Sequence, residues 1–175
     1  MIPTRSQIES YTTDHLVDAA DYWGSLADRW EDAHWQVRNE AHSLNWEGSA
    51  GDAMRARTVA DYTVATHRAD QLRAAAGIAR QQAGELERLR NRILYAVGDA
   101  EDAGFAVGED LSVNDIRATM NPAELIARQS KAHAFAADIR QRAVMLTGVD
   151  NDVAGSLTAI AGNVGDALFT GLPVE

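Results

Sequence analysis

From Thr4 to Asn121 the chain contains no proline; its three prolines are Pro3, Pro122 and Pro173. Proline inside a helix removes a hydrogen bond and clashes with the preceding turn. So long a stretch without it is free to form uninterrupted helix, and the apolar pattern says that it does. Leu16, Trp23, Trp30, Val37 and Leu44 recur at every seventh position, with Ala19, Leu26 and Ala33 between them. A second series, Ala65, Leu72, Ala79, Leu86, Ile93 and Ala100, keeps the same spacing and is flanked by Ala69, Ala76, Ala83 and Val97. A sustained seven-residue repeat is the pattern of one helix lying along another. Trp23 and Trp30 fit this seam as core residues better than as ligand-stacking groups.

The ends of the two helices are marked. Thr4 with Gln7 reads as a capping box that opens the first helix. Asn45 suits a left-handed helix end, Gly48 and Gly51 relax the connection, and Ser49 with Asp52 reads as the next N-cap. Gly77, Gly84 and Gly98 weaken the second helix by about 1 kcal/mol each relative to alanine. The seam keeps its register across them, so one helix is expected to about Asp102. Two helices of roughly 40 and 50 residues are each about 60–75 Å long, and a short connection makes them antiparallel.

After Asp102 the character changes. Gly104, Gly108, Glu109 and Asp110 suggest a loop, with Ser112 to Asp115 capping a short helix that ends near Met120. Asn121-Pro122 opens a third helix with Leu125, Ala132, Ile139 and Leu146 at seven, widened by Phe135, Ala136 and Ala143. Gly148 is read as its end. Asp150 or Asn151 then caps a fourth helix carrying Val153, Leu157, Ile160, Val164 and Leu168. The expected fold is all-α. An elongated antiparallel helical hairpin occupies 1–103, a loop with a short helix 104–121, and a shorter hairpin 122–170. The shorter hairpin packs on the base to complete a four-helix bundle, and 171–175 form a tail or linker. Near the turn, the seam residues Val37, Leu44 and Met54 should lack a complete covering.

Composition narrows the function. A formal net charge of −10 disfavours nucleic acid, which needs a basic face. The absence of cysteine excludes thiol chemistry and disulfides. The N-terminal stretch has no apolar run of the signal-peptide kind, and no segment approaches the roughly 20 apolar residues of a membrane span. Glu31 to His34 is a single E-x-x-H, whereas a di-iron bundle needs two, with further carboxylates. No two of His15, His34, His42, His67 and His133 are four apart, and no G-x-S-x-G, P-loop or G-x-G-x-x-G occurs. The expectation is a non-enzyme with no cofactor and no metal.

Two stretches stand out. Trp46-Glu47-Gly48 places an indole in the connection between the long helices. Tyr95-Ala96-Val97-Gly98-Asp99 places an aromatic ring and a carboxylate on one face near the end of the second helix. Taken alone, Trp46 could plug the turn, and Tyr95 could be a partly packed tyrosine beside a solvated acid. Together, a W-x-G turn and a Y-x-x-x-D helix end resemble the WXG superfamily of type VII (Esx) secretion substrates, and the added helices resemble its larger Esp-like and PE/PPE-like members. The resemblance covers residues 1–103. It implies export without a Sec signal peptide, to the outside or the cell envelope. Tyr95 and Asp99 would be the recognition signal, and Trp46 and Gly48 would build the tip. The implied partners are a secretion ATPase or dedicated chaperone, and a WXG-type partner or a second copy. The alternatives are a non-secreted helical scaffold that pairs with another hairpin, and a metal-dependent bundle enzyme.

Overall fold

The computed structural model describes residues 2–118 and 121–169, with side chains described as far as Ile160. Its elements in chain order are α1 (Arg5–Glu9), α2 (Asp14–Ser43), α3 (Ser49–Asp102), β1 (Phe105–Val107), β2 (Val113–Asp115) and α4 (Pro122–Phe169). The protein is predominantly helical, as expected. The chain divides into two compact units, one of Met1–Thr13 with Gln82–Gly155, the other of Asp14–Gln81 with the part of α4 from Ser156.

In the second unit α2 and α3 run antiparallel. Ala20 packs with Ala76 and Ala79, while Ala27, one heptad on, packs with Ala69 and Leu72, one heptad back. Small side chains at these positions let the helix axes approach closely. Trp23 lies over both clusters, with Leu26 and Trp30 on one and Leu157 of α4 on the other. At the rim, Arg73 holds Asp28 at 2.8 Å and Glu31 at 2.7 Å, and Arg80 holds Asp21 at 2.7 Å. These exposed pairs fix register more than they stabilise.

The expected α2 seam holds only to Trp30. Leu16, Ala20, Ala27 and Ala41 are buried, with Trp23, Trp30, His34 and Arg38 half-buried along the same line. Ala33, Val37 and Leu44 are exposed. A straight helix of 3.6 residues per turn drifts by about 20° per heptad against a strict seven-residue repeat. By the third heptad the buried line has stepped from Val37 to Arg38 and from Leu44 to Ala41. In α3, by contrast, every position of the expected seam from Ala65 to Ala100 is buried.

The first unit packs larger side chains. Its fully buried residues include Ile8, Leu86, Ile93, Phe105, Leu111 and Ile139. The Thr4–Gln7 capping box forms as expected, but the helix stops at Glu9, so the first helix is not continuous from Thr4. Ser10 to Thr13 is a poor helix run, rich in hydroxyl and β-branched side chains. Its residues also have better partners elsewhere: Tyr11 donates from its hydroxyl to Asp150 at 2.6 Å, and buried Thr13 to Glu87 at 3.3 Å. Arg90 of α3 donates to the carbonyls of Ile8 and Glu9 at the end of α1, satisfying acceptors that a helix end leaves open.

Two further expectations are corrected. The segment from Gly104 holds no helix at Ser112 to Asp115. It is an antiparallel hairpin pairing Phe105 with Asp115 and Val107 with Val113. Phe105, Val107 and Val113 face inward, and Leu111, buried at the bend, adopts φ 60°. Second, Gly148 ends nothing: α4 is one helix from Pro122 to Phe169, so there is no shorter C-terminal hairpin. Ala132, Ala136, Ile139, Ala143 and Leu146 are buried at alternating steps of four and three, Val153 follows seven residues on, and Leu157 carries the line onward. That line crosses Gly148 without losing phase, so nothing calls for a turn there. Leu125, placed on the stripe by its spacing, is exposed. The expected helix end near Met120, the side chains of Val164 and Leu168, and the tail 171–175 lie outside the described residues.

Candidate interaction surfaces

The connection between α2 and α3 is built around the Trp46 carbonyl. Gly48 takes φ 91°, a left-handed value that favours glycine. Its own carbonyl accepts from Asp52 at 3.1 Å, the first hydrogen bond of α3, which makes Gly48 the cap residue where Ser49 was expected. A Cβ on Gly51 would sit 2.2 Å from the Trp46 oxygen. Gly51 is therefore required by a close approach, not merely by flexibility. Arg55 completes the arrangement, donating to the same oxygen at 3.1 Å and holding Asp52 at 2.6 Å. Asn45 does not take the left-handed conformation expected of it; Leu111 is the non-glycine residue that does, among those described.

The backbone is thus tied down while the indole is not. Trp46 is 50% exposed, Leu44 54% and Val37 56%. Trp35, on the same part of α2, is half-exposed as well, and Met54 is half-buried. Several large apolar groups around one turn form the kind of surface that marks an interaction site when it is contiguous.

Tyr95 lies in the other unit and is 75% exposed, the most exposed of the large apolar and aromatic side chains described. Asp99, one turn on, is exposed too, while Ile93, Ala96, Val97 and Ala100 between and around them are buried. The tyrosine and the acid therefore share the outer face of α3, with its inner face closed against the core. The structure places Trp46 with Gly48, and Tyr95 with Asp99, each pair in its own unit.

Sequence reasoning missed a polar clamp. Arg128 of α4 grips Asp115 of β2 with two nitrogens, one at 2.6 Å, and donates to the Gly104 carbonyl at 3.0 Å. Its guanidinium lies 4.2 Å above the Phe105 ring. The Arg128 hydrogen bonds, helped by the Arg117 backbone N–H, hold the Asp115 carboxyl down at about 2. On the far side of the hairpin, Glu109 accepts from the Ser6 hydroxyl at 2.7 Å and backbone N–H at 3.1 Å, which lowers its pKa. Arg5 donates to Glu101 at 2.6 Å and to the Val107 carbonyl at 3.1 Å. Burial, and then the bond to Asp150, raise the pKa of Tyr11. These contacts fasten α1, the hairpin and α4 together.

The E-x-x-H residues are engaged elsewhere. Glu31 pairs with Arg73, and the His34 ring meets the Trp30 carbonyl at 2.8 Å. Among the described residues no cluster of three histidine or acidic side chains could hold a metal ion, and no helix is long and apolar enough to cross a membrane.

No known protein family and no solved structure matches the chain. The sequence is similar to uncharacterized proteins of Mycobacterium bovis and of two strains of Mycobacterium tuberculosis. Each is 50% identical over 174 residues, covering 99% of this chain and 54% of the relative. The chain therefore spans about half the length of the curated relatives it matches.

Proposed function

We propose that this protein is a substrate of a type VII (Esx) secretion system, or the targeting module of a larger substrate. Tyr95 and Asp99 are its recognition signal, and the Trp46–Gly48 turn forms its tip. The single observation that carries the reading is the 75% exposure of Tyr95 on a helix whose inner face is otherwise closed. A tyrosine so exposed contributes little to folding, since apolar burial is what stabilises. It is, however, well placed for a partner, because tyrosine and tryptophan dominate binding hot spots. Asp99, four residues on, adds a charge on the same face. The relatives, of which the matched region is about half, are consistent with a module attached to a further segment. The first partner would be a secretion ATPase or a dedicated chaperone, with a WXG-type partner or a second copy at the tip. The protein would end outside the cell or at its envelope.

A second reading is a non-secreted helical adaptor, favoured by the exposed Val37, Leu44 and Trp46, which would serve a helical partner equally well. The two separate on one experiment. Culture filtrate and lysate are compared for the intact protein, Tyr95→Ala and Asp99→Ala, with circular dichroism to show that each variant folds. Export predicts an extracellular pool that falls at least tenfold in both variants. Equal extracellular amounts for all three sink the signal. A wholly intracellular protein in a stable complex establishes the adaptor.

A further inference from the structure

We propose that the groove between α3 and α4 lined by Leu89, Arg92, Asp138, Gln141, Arg142 and Met145 docks a short peptide segment of a partner protein. The segment would present a carboxylate beside an aliphatic side chain. The groove encloses about 210 Å³. Its α4 wall runs two turns from Asp138 to Met145, roughly 10 Å at 1.5 Å per residue, which suits about three residues of extended chain at 3.3 Å each.

Each wall component matches one part of such a segment. Arg92 is exposed and has no ion-pair partner among the described residues, whereas Arg73, Arg80 and Arg88 each hold a carboxylate. Arg142 gives its Nε to both oxygens of Asp138, at 2.9 and 3.0 Å, which keeps that acid neutralised within the groove. The protein as a whole carries −10, so an acidic segment is repelled by most of the surface and attracted here. That contrast gives specificity as well as attraction. Gln141, exposed and with no hydrogen bond to another side chain among the described residues, offers a donor and an acceptor to a peptide backbone. Leu89 supplies a buried apolar floor, and Met145, 49% exposed, supplies a flexible apolar flank that adapts to the side chain it meets. A bare carboxylate would use only the arginine; a peptide uses all four.

Arg92 lies one turn before Tyr95 on α3, yet the inference does not rest on export. It concerns binding by the purified protein, and it stands whether or not Tyr95→Ala is secreted. The test is an NMR titration of the isotopically labelled full chain with acetyl-leucyl-glutamyl-leucinamide. The expected result is saturable shifts at the Arg92 Nε–H, the Gln141 amide and the Met145 methyl. Binding should weaken roughly tenfold in Arg92→Ala, which loses a charge-assisted hydrogen bond, and roughly threefold in Met145→Ala. The glutaminyl counterpart of the peptide should bind roughly tenfold more weakly. No shift at these groups overturns the proposal. So does equal binding of the glutaminyl peptide, or acetate alone producing the same shifts at the same concentration.

Discussion

The two units are built from different materials. In the one containing α2, the buried positions among the described residues are nearly all alanine, with Leu16, Leu72 and Gly51 as exceptions and Trp23 and Trp30 lying half-exposed over the seam. In the one containing α1 and the β-hairpin, alanines are buried as well, but the largest fully buried apolar side chains are Phe105, Ile8, Leu86, Leu111, Ile93 and Ile139. Apolar burial stabilises by roughly 25 cal/mol per Å², so isoleucine and phenylalanine contribute several times what alanine does. The first kind of packing holds two helices close with little apolar area. The second gathers five elements round a conventional core. Both are tied by arginines, but differently: Arg73 and Arg80 pair with exposed or half-exposed acids along the α2–α3 rim, whereas Arg128 and Arg5 also donate to backbone carbonyls of the hairpin. Anchoring and display are thus divided: the alanine seam leaves its large aromatic groups half-uncovered, and the bulky core leaves out only Tyr95 among its aromatic rings.

The contrast breaks most visibly in the bulky core. Ile93→Ala or Leu86→Ala removes a fully buried side chain and should cost about 2–5 kcal/mol, read as a lower midpoint in urea. The same kind of truncation has little to remove in the alanine seam. There the damaging change is enlargement. Ala69→Leu or Ala79→Leu, at positions with no exposure, should destabilise by about 1–3 kcal/mol, because close helices cannot accept the added volume. If Ala69→Leu is neutral, the seam is looser than these contacts imply.

Acid should separate the units next. Asp115 has its pKa held at about 2 by Arg128, below the ordinary aspartate value of about 3.9. A depressed folded pKa stabilises fully above the unfolded value, and that contribution fades as pH falls from about 4 through about 2. Glu109 and Asp110 are shifted in the same direction. Probes in the hairpin unit should therefore lose stability across that window. Asp115→Asn should flatten the fall, while lowering stability at pH 7 by removing the charge that Arg128 grips. Backbone amide signals of the hairpin around Phe105, followed during the acid titration, report it.

How much of this was legible varied with the kind of force. The α3 seam was readable throughout, because burial along one helix depends on spacing that the sequence displays. The α2 seam was readable to Trp30 and then lost, because the eye extends seven-residue steps where the helix turns at 3.6. The hairpin left a faint signal in Phe105-Ala106-Val107 and Val113, apolar residues alternating around Gly108, but strands of three residues are too short for a periodicity to declare itself. The Arg128–Asp115 clamp left none, since ion pairs between distant elements have no pattern in sequence. The exposure of Tyr95 was deducible from its position off the Leu86–Ile93–Ala100 line. The role of Gly51 was not, because it depends on where one carbonyl of Trp46 points.

The smallest expected effect lies at Gly148, where structure and spacing differ most. The spacing admits Gly77, Gly84 and Gly98 inside α3 because its seam keeps register across them, yet it takes Gly148 in α4 as a stop. The same argument applies to both helices: the buried line from Ala132 to Leu157 passes Gly148 in phase. Gly148 does not take a positive φ, and a Cβ built on it meets nothing within 4 Å. Gly148→Ala should therefore raise stability, by about 0.5–1 kcal/mol, as alanine replaces glycine in a helix interior. A turn at this point with glycine in its left-handed conformation would give the opposite sign, since alanine there is strained. The sign of one small change in unfolding midpoint thus decides between a single long α4 and a hairpin.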